Sequence, residues 1–245
     1  MGKKSKLYRA QMEKVDRSVL MTLPDAMNLL KELPQPKFDQ TVELAFRLGV
    51  DPKQTDQTVR GALPLPKGTG KSVIVCVITD NADLQKDATA AGADFVGFDD
   101  IIEKVKGGWV DFDVLIASPS AMPKVRPLGR QLGPKGLMPN PKTGTVTDAI
   151  SKAVGEAKAG RVEFRADKGA CVQIPIGKLS FKAEDLVENG KAVIAALVKA
   201  KPASAKGAYF LSCTVCATMT PGIKVDPRTL VTQEYKNDCR KSQKI

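Results

Sequence analysis

The chain of 245 residues contains no histidine, and this absence limits the chemistry that its side chains can perform. Neither a Ser-His nor a Cys-His nucleophile pair can form, so acid–base catalysis would fall to carboxylate, lysine, tyrosine or cysteine groups. Cys213 and Cys216 form the only CxxC motif, but a period of two puts them on opposite faces of the strand that their alternating surroundings predict. A zinc site would also need two further ligands. We therefore predict no catalytic residue and no metal site.

The segment KGTGKS at residues 67–72 resembles a phosphate-binding P-loop in its last three residues. The P-loop motif needs a glycine five positions before its Gly-Lys-Ser group, and Leu65 stands there instead. The motif also follows a strand and opens a helix, whereas this segment precedes the apolar run VIVCVI at residues 73–78. The sequence therefore disfavours nucleotide hydrolysis and predicts no cofactor. A nucleotide-binding α/β enzyme remains the alternative function.

The stretch least like a packed helix or strand is LGRQLGPKGLMPNPKTGTVT at residues 128–147, which we call the basic loop. Its four glycines and three prolines favour a shaped loop rather than a helix or strand. No Asp or Glu occurs between Asp113 and Asp148, and the loop carries Arg130, Lys135 and Lys142. A firm, positively charged loop suits a polyanion, while a solvated connection between two elements is the alternative.

The charge of the whole chain also indicates the class of partner. It has 38 basic and 27 acidic residues, a formal net charge of +11, and this excess favours nucleic acid or another anionic surface. No apolar run approaches the roughly 20 residues needed to cross a bilayer, so we predict no membrane partner. The five scattered cysteines indicate reduced thiols in a cytosol-like compartment.

Two styles of strand indicate two domains. Residues 41–48 alternate apolar and polar, as in a half-buried strand, whereas residues 73–78 are continuously apolar, as in a parallel strand covered on both faces. We predict a discontinuous α+β domain with an antiparallel sheet, built from residues 1–67 and 160–245. Residues 68–159 form an inserted α/β domain with three Rossmann-like layers. A hairpin is predicted around residues 167–169, and the two chain crossings are expected to act as a hinge.

Two segments at predicted strand ends carry groups suited to RNA. KFDQTVE, residues 37–43, puts Lys37 and Phe38 just ahead of a strand, and ATMTPG, residues 217–222, puts hydroxyl groups and Met219 in a turn after one. Hydroxyl, amide and stacking groups suit folded RNA, whose 2′-OH groups are read across a shallow groove. The alternative is that Phe38 and Met219 are core residues at strand margins. A non-specific DNA binder is a further, weaker alternative.

Several motifs in their order resemble the bacterial-type ribosomal protein L-one family. They are KFDQTVE, LPKGTGK, AGADFVG, DFDVLIASP, LGPKGLMPNPKTGTVT, VEFRADK, GKLSF, SAKG and ATMTPG, and together they cover nearly the whole chain. The resemblance implies the two-domain architecture and binding to large-subunit ribosomal RNA in a mobile stalk beside the tRNA exit site. It also implies release of deacylated exit-site tRNA, repression of the protein's own messenger RNA, and a monomer within the ribosome. The expected location is the bacterial cytoplasm, with a plastid ribosome as the alternative.

The resemblance also implies the residues that contact RNA, which are Lys37, Phe38, Thr41, Glu43, Arg165, Lys168, Ser212, Thr218 and Met219. Our hypothesis gives phosphate contacts to the basic residues, which position without specifying. It gives hydrogen bonds to Thr41, Ser212 and Thr218, and apolar cover to Phe38 and Met219. Glu43 accepts from a donor on the RNA. The family commonly has glycine where Thr220 stands here, a departure that would matter if that residue needed a positive φ.

Overall fold

The computed structural model describes residues 5–205 and 207–230, apart from the side chains of Thr55 and Lys142. The helices are α1 Lys6–Lys14, α2 Leu23–Glu32, α3 Ala82–Ala90, α4 Asp99–Lys106, α5 Met122–Val125, α6 Gly129–Leu132, α7 Ile150–Lys158 and α8 Ala183–Lys199. The strands are β1 Thr41–Leu48, β2 Arg60–Pro64, β3 Val75–Ile78, β4 Phe95–Gly97, β5 Val114–Ala117, β6 Arg161–Arg165, β7 Cys171–Lys178, β8 Phe210–Ala217 and β9 Ile223–Val225. The chain divides into unit 1, residues 1–70 and 162–245, and unit 2, residues 71–161.

Unit 1 is organised around an antiparallel sheet in the order β7-β1-β8-β9. Every second residue of β1, from Val42 to Leu48, is buried, and the residues between them are not. Helices α2 and α8 pack on the buried face. Thr22 begins α2, because its hydroxyl accepts from the Asp25 N–H, and Pro24 lies in its first turn. The opposite face of the sheet is left without a covering helix among the described residues.

A buried amide fastens the chain crossing to this sheet. Asn189 of α8 is fully buried, and its Nδ2 donates to Ile176 O at 2.7 Å and to Gly68 O at 3.1 Å. Its Oδ1 accepts from the Lys67 N–H at 3.0 Å. One side chain therefore satisfies three backbone groups, of which the Ile176 carbonyl is buried and those of Lys67 and Gly68 are partly buried.

Unit 2 has three layers around a parallel sheet in the order β4-β3-β5. Helices α3 and α7 lie on one face, while α4 and the start of the basic loop cover the other. All four residues of β3 are buried, as the apolar run predicts. The only tryptophan of the chain, Trp109, belongs to this unit and packs edge-on against Phe95 with ring centroids 4.8 Å apart.

The predicted fold class is confirmed: an antiparallel sheet with helices on one face, and a three-layer α/β unit with a parallel sheet. The contact boundaries, at residues 70/71 and 161/162, lie two or three residues from those that the sequence predicts. The expected hinge motion stays a prediction. None of the helices in residues 5–205 and 207–230 is both long and apolar enough to cross a membrane.

Two local predictions are wrong. The hairpin does not form, because β6 pairs with β2 in a separate two-stranded sheet while β7 pairs with β1. Only its turn is present, where Asp167 Oδ1 accepts from the N–H groups of Gly169 and Cys171 at 2.8 Å. The basic loop is not free of helix, since it contains α6 and a 3₁₀ turn at Pro141–Thr143. Single helical turns are compatible with closely spaced glycine and proline residues, and buried leucines hold them.

Candidate nucleic-acid interface

The two segments predicted to contact RNA lie side by side although 177 residues separate them. The Thr41 N–H donates to Thr218 Oγ1 at 3.2 Å, and the Met219 N–H donates to the side-chain carbonyl of Gln40 at 2.8 Å. The Gln40 side chain is fully buried beneath this contact. The start of β1 and the turn after β8 therefore form one rigid structure.

The end of β7 joins the same structure from the other side. Lys178 Nζ donates to Thr41 Oγ1 at 3.0 Å, and the Ser180 hydroxyl donates to Asp39 Oδ2 at 2.8 Å. Because its hydroxyl accepts from Lys178, Thr41 is oriented to donate outwards. Three strand ends thus converge, and a lysine that sequence reasoning missed stands among them.

Two apolar side chains project from this structure into solvent. Phe38 and Met219 are each 51% exposed, which decides against the alternative that they are core residues. Lys37 is also exposed, while Thr218 presents its hydroxyl at the surface. We call Lys37, Phe38, Thr41, Glu43, Thr218 and Met219 the sheet-end site. It combines a cation, hydroxyl groups and flat or flexible apolar groups within one small area.

Glu43 lies on the open face of the sheet between Pro175 of β7 and Cys216 of β8. Burial raises the pKa of the Cys216 thiol, and the Glu43 carboxylate raises it further, so this thiol stays protonated at neutral pH. Cys213 points to the opposite, buried face, where desolvation raises its pKa to about 12. The two cysteines therefore cannot act as a dithiol pair. The described residues contain no cluster of three potential metal ligands.

Three predicted residues lie outside the sheet-end site. Ser212 pairs with Arg47, six residues along β8 from Thr218 and therefore about 20 Å away at roughly 3.3 Å per residue. Arg165 and Lys168 are exposed at the end of β6 and in the turn before β7. We call Arg165, Lys168 and Ser212 the far-end group. The structure does not bring this group together with the sheet-end site.

The residues of the basic loop belong to unit 2, whereas the sheet-end site and the far-end group belong to unit 1. Arg130 of α6 and Lys135 are exposed. The side chain of Lys142 lies outside the described residues.

Comparison with known proteins assigns the chain to a family. Residues 30–221 match the Ribosomal protein L1p/L10e family, which is well over half of the chain. The chain belongs to this family. It is 53% identical over 230 residues to the large ribosomal subunit protein uL1 of Lactobacillus acidophilus, and the alignment covers 94% of this chain and 100% of that protein. The resemblance drawn from the motifs is thereby confirmed. Since this is a family of ribosomal proteins and not of enzymes, the alternative of a nucleotide-binding enzyme is wrong.

Thr220, the departure from the glycine expected in this ribosomal family, is accommodated without strain. Ala170 is the one non-glycine residue of positive φ in the described chain, so Thr220 does not adopt the left-handed conformation that favours glycine. Its hydroxyl accepts from the Ala217 N–H at 2.8 Å and donates to Ala217 O at 3.3 Å. The threonine therefore closes the turn that carries Thr218 and Met219.

Sequence reasoning missed Gln40 and Lys178. Gln40 stands between the predicted contacts Phe38 and Thr41, and nothing in its type indicates that it is buried. Lys178 ends a strand whose alternation is plain, but the register that places it opposite Thr41 is a tertiary property. Its motif, GKLSF, was the only sequence signal that pointed to this position.

Proposed function

We propose that this protein is a constituent of the large ribosomal subunit in the bacterial cytoplasm and that its sheet-end site binds a folded segment of large-subunit ribosomal RNA. The observation that carries the proposal is the junction of residues 37–43 with residues 217–219, which presents exposed Phe38 and Met219 beside fixed hydroxyl groups. Unit 1 contains 26 of the 38 basic residues but only 16 of the 27 acidic ones. This excess favours approach of the RNA backbone.

Each group of the sheet-end site has a distinct part in this proposal. Lys37 and Lys178 meet phosphates, which fix the register of the RNA without reading its sequence. Thr41 and Thr218 form hydrogen bonds with 2′-OH groups or base edges, and the 2′-OH contacts distinguish RNA from DNA. Glu43 is an acceptor only, so its partner is an amino or hydroxyl donor of the RNA. Phe38 covers an exposed base face and Met219 adds apolar contact.

The division of labour is tested by the salt dependence of binding to a ribosomal RNA fragment. We expect Lys37→Ala to flatten the plot of log K against log salt by roughly 0.7–0.9, the value for one lost phosphate contact. We expect Thr218→Val to weaken binding without changing this slope, because it removes a hydroxyl but no charge. Titrations at four salt concentrations measure both quantities.

Thr218→Ser is the matched control, since it keeps the hydroxyl that accepts from the Thr41 N–H. It should bind RNA nearly as the wild type does. A change of slope in Thr218→Val as large as that in Lys37→Ala would contradict the assignment of these roles.

We further propose that exit-site tRNA and the protein's own messenger use different surfaces. The far-end group, whose Ser212 lies about 20 Å along β8 from Thr218, supports a separate contact for tRNA. This group is basic, because it contains the exposed Arg165 and Lys168. A messenger that mimics the ribosomal segment would occupy the sheet-end site itself.

Competition distinguishes the two surfaces. We expect the ribosomal RNA fragment to displace a bound messenger leader from the protein, because both need Phe38 and Thr218. The same fragment should leave bound tRNA in place. Fluorescence anisotropy of labelled messenger and labelled tRNA measures displacement, and loss of both ligands at the same fragment concentration would contradict separate surfaces.

A further inference from the structure

Unit 2 has nearly equal numbers of basic and acidic residues, but its unpaired basic residues are concentrated in one region. Residues 71–161 contain twelve basic and eleven acidic residues. Five of the basic residues form ion pairs within the unit: Lys71, Lys86, Lys124, Lys158 and Arg161. Of the others whose side chains the structure describes, Lys152 lies on α7, and the remaining five share the region of α4 and the basic loop. These five, Lys104, Lys106, Arg126, Arg130 and Lys135, are all exposed, and we call them the basic surface.

The basic surface is mounted on a firm support. Leu128 and Leu132 are buried beneath it in the core that also contains Val105 of α4. Gln131 Nε2 donates to Lys106 O at 2.9 Å, which joins α6 to the end of α4. Lysines from the end of α4 and arginines from the loop are therefore held next to each other.

The last part of the basic loop, which leads back to the parallel sheet, is also held by hydrogen bonds. Thr143 and Thr145 are buried, and their hydroxyl groups lie 3.1 Å apart. Thr145 Oγ1 accepts from the Asn140 N–H at 2.8 Å, and Arg161 donates to Thr143 O. Val146 then forms a parallel bridge with Ala117 at the end of β5. Such internal bonding keeps the loop in one shape, so a ligand need not order it.

The chemistry of the basic surface selects one class of partner. The exposed large hydrophobic residues described in unit 2 are Ile74, which precedes β3, and Phe95, which begins β4. Neither belongs to α4 or to the segment from Arg126 to Lys135. The basic surface thus lacks the aromatic and apolar centre that protein interfaces use, and it has no apolar group to enter a bilayer. Asp99, Asp100 and Glu103 share α4 with two of these cations, but none of the five cations forms an ion pair among the described residues. Exposed cations of this kind match an array of phosphates.

We propose that the basic surface of unit 2 binds the phosphate backbone of RNA without regard to sequence and independently of the sheet-end site. The cations meet phosphates and no base edge, so the contact adds affinity and not discrimination. This inference rests on the proposed function, in which the sheet-end site binds RNA specifically. The basic surface adds a second, non-specific contact with RNA.

The test is binding of the full chain to a 20-base-pair RNA duplex, which lacks a folded ribosomal segment. The triple variant Arg126→Gln, Arg130→Gln, Lys135→Gln should weaken binding at low salt by roughly tenfold and reduce the slope of log K against log salt by about 2. The control variant Lys86→Gln, Lys152→Gln, Lys158→Gln removes the same charge from exposed lysines of unit 2. It should change the affinity by less than about twofold, because distant exposed charges are screened.

Each outcome decides the proposal. A larger loss in the basic-surface variant supports it, and equal losses in the two triple variants overturn it. The duplex experiment does not test the sheet-end site. That site is tested separately, by the affinity of Phe38→Ala for a folded ribosomal fragment. A failure of the proposed function would appear only with the folded fragment.

Discussion

Asn189→Leu is expected to destabilise unit 1 by about 3–6 kcal/mol. The substitution leaves the Lys67 N–H and the carbonyl groups of Gly68 and Ile176 without their partner. Leaving the buried Ile176 carbonyl unsatisfied costs about 1–3 kcal/mol, and the two partly buried groups each cost an amount toward the lower end of that range. Urea unfolding followed by far-UV circular dichroism measures the loss. Trp109 fluorescence in the same samples reports on unit 2, which contains the only tryptophan and should unfold at an unchanged midpoint.

The neighbouring substitution Glu188→Gln is the matched control. Glu188 also faces the crossing, where its carboxylate lies 3.4 Å from Lys67 Nζ, but both side chains are substantially exposed. A surface ion pair of this kind contributes less than about 1 kcal/mol. If Asn189→Leu and Glu188→Gln lower the free energy of unfolding equally, the buried amide is not what fastens the crossing.

Phe38→Ala is expected to weaken binding to the ribosomal RNA fragment by about 5- to 150-fold. A base stacked on an aromatic ring contributes about 1–3 kcal/mol when measured by alanine substitution. Because Phe38 is half exposed in the free protein, the same change should lower stability by less than about 1 kcal/mol. Met219→Ala should follow with a smaller loss, since a thioether offers contact but no flat face. Filter binding at constant salt measures these affinities.

Leu211→Ala is the matched control for this prediction. Leu211 is also 51% exposed and lies on β8, at the end away from Thr218. Its loss removes an exposed apolar group of similar size from the same sheet and should leave RNA affinity unchanged. Equal effects of Phe38→Ala and Leu211→Ala would show that general surface hydrophobicity, and not the sheet-end site, holds the RNA.

Local periodicity predicted much of the fold. The alternation of residues 41–48 indicated a strand with one buried face, and the structure buries every second residue from Val42. The same period put Ser212 on the face of Thr218. It did not show that these residues lie at opposite ends of β8, because alternation indicates which face a residue occupies and not which strand ends come together in one site.

The pairing of strands and the partners of buried polar groups were not predictable. Val162 and Phe164 indicated the buried face of β6 but not that its partner is β2. Asn189 and Gln40 have the residue types of surface positions, and only the packing of distant segments buries them. Such residues are fixed by tertiary contacts, which one sequence read alone does not contain.

The place of β1 at the centre of its sheet has a consequence for how the nascent chain folds. Both neighbours of β1 are synthesised after it, and Ala217, which pairs with Val42, is added 175 residues later. At about 5–20 residues per second this interval lasts roughly 9–35 s. Unit 2 emerges complete within that time, whereas β1 has no neighbour until β7 is made and lacks β8 for the whole interval. The sheet of unit 1 can therefore close only after β8 has been synthesised, and β1 is the segment that chaperones would need to shield until then.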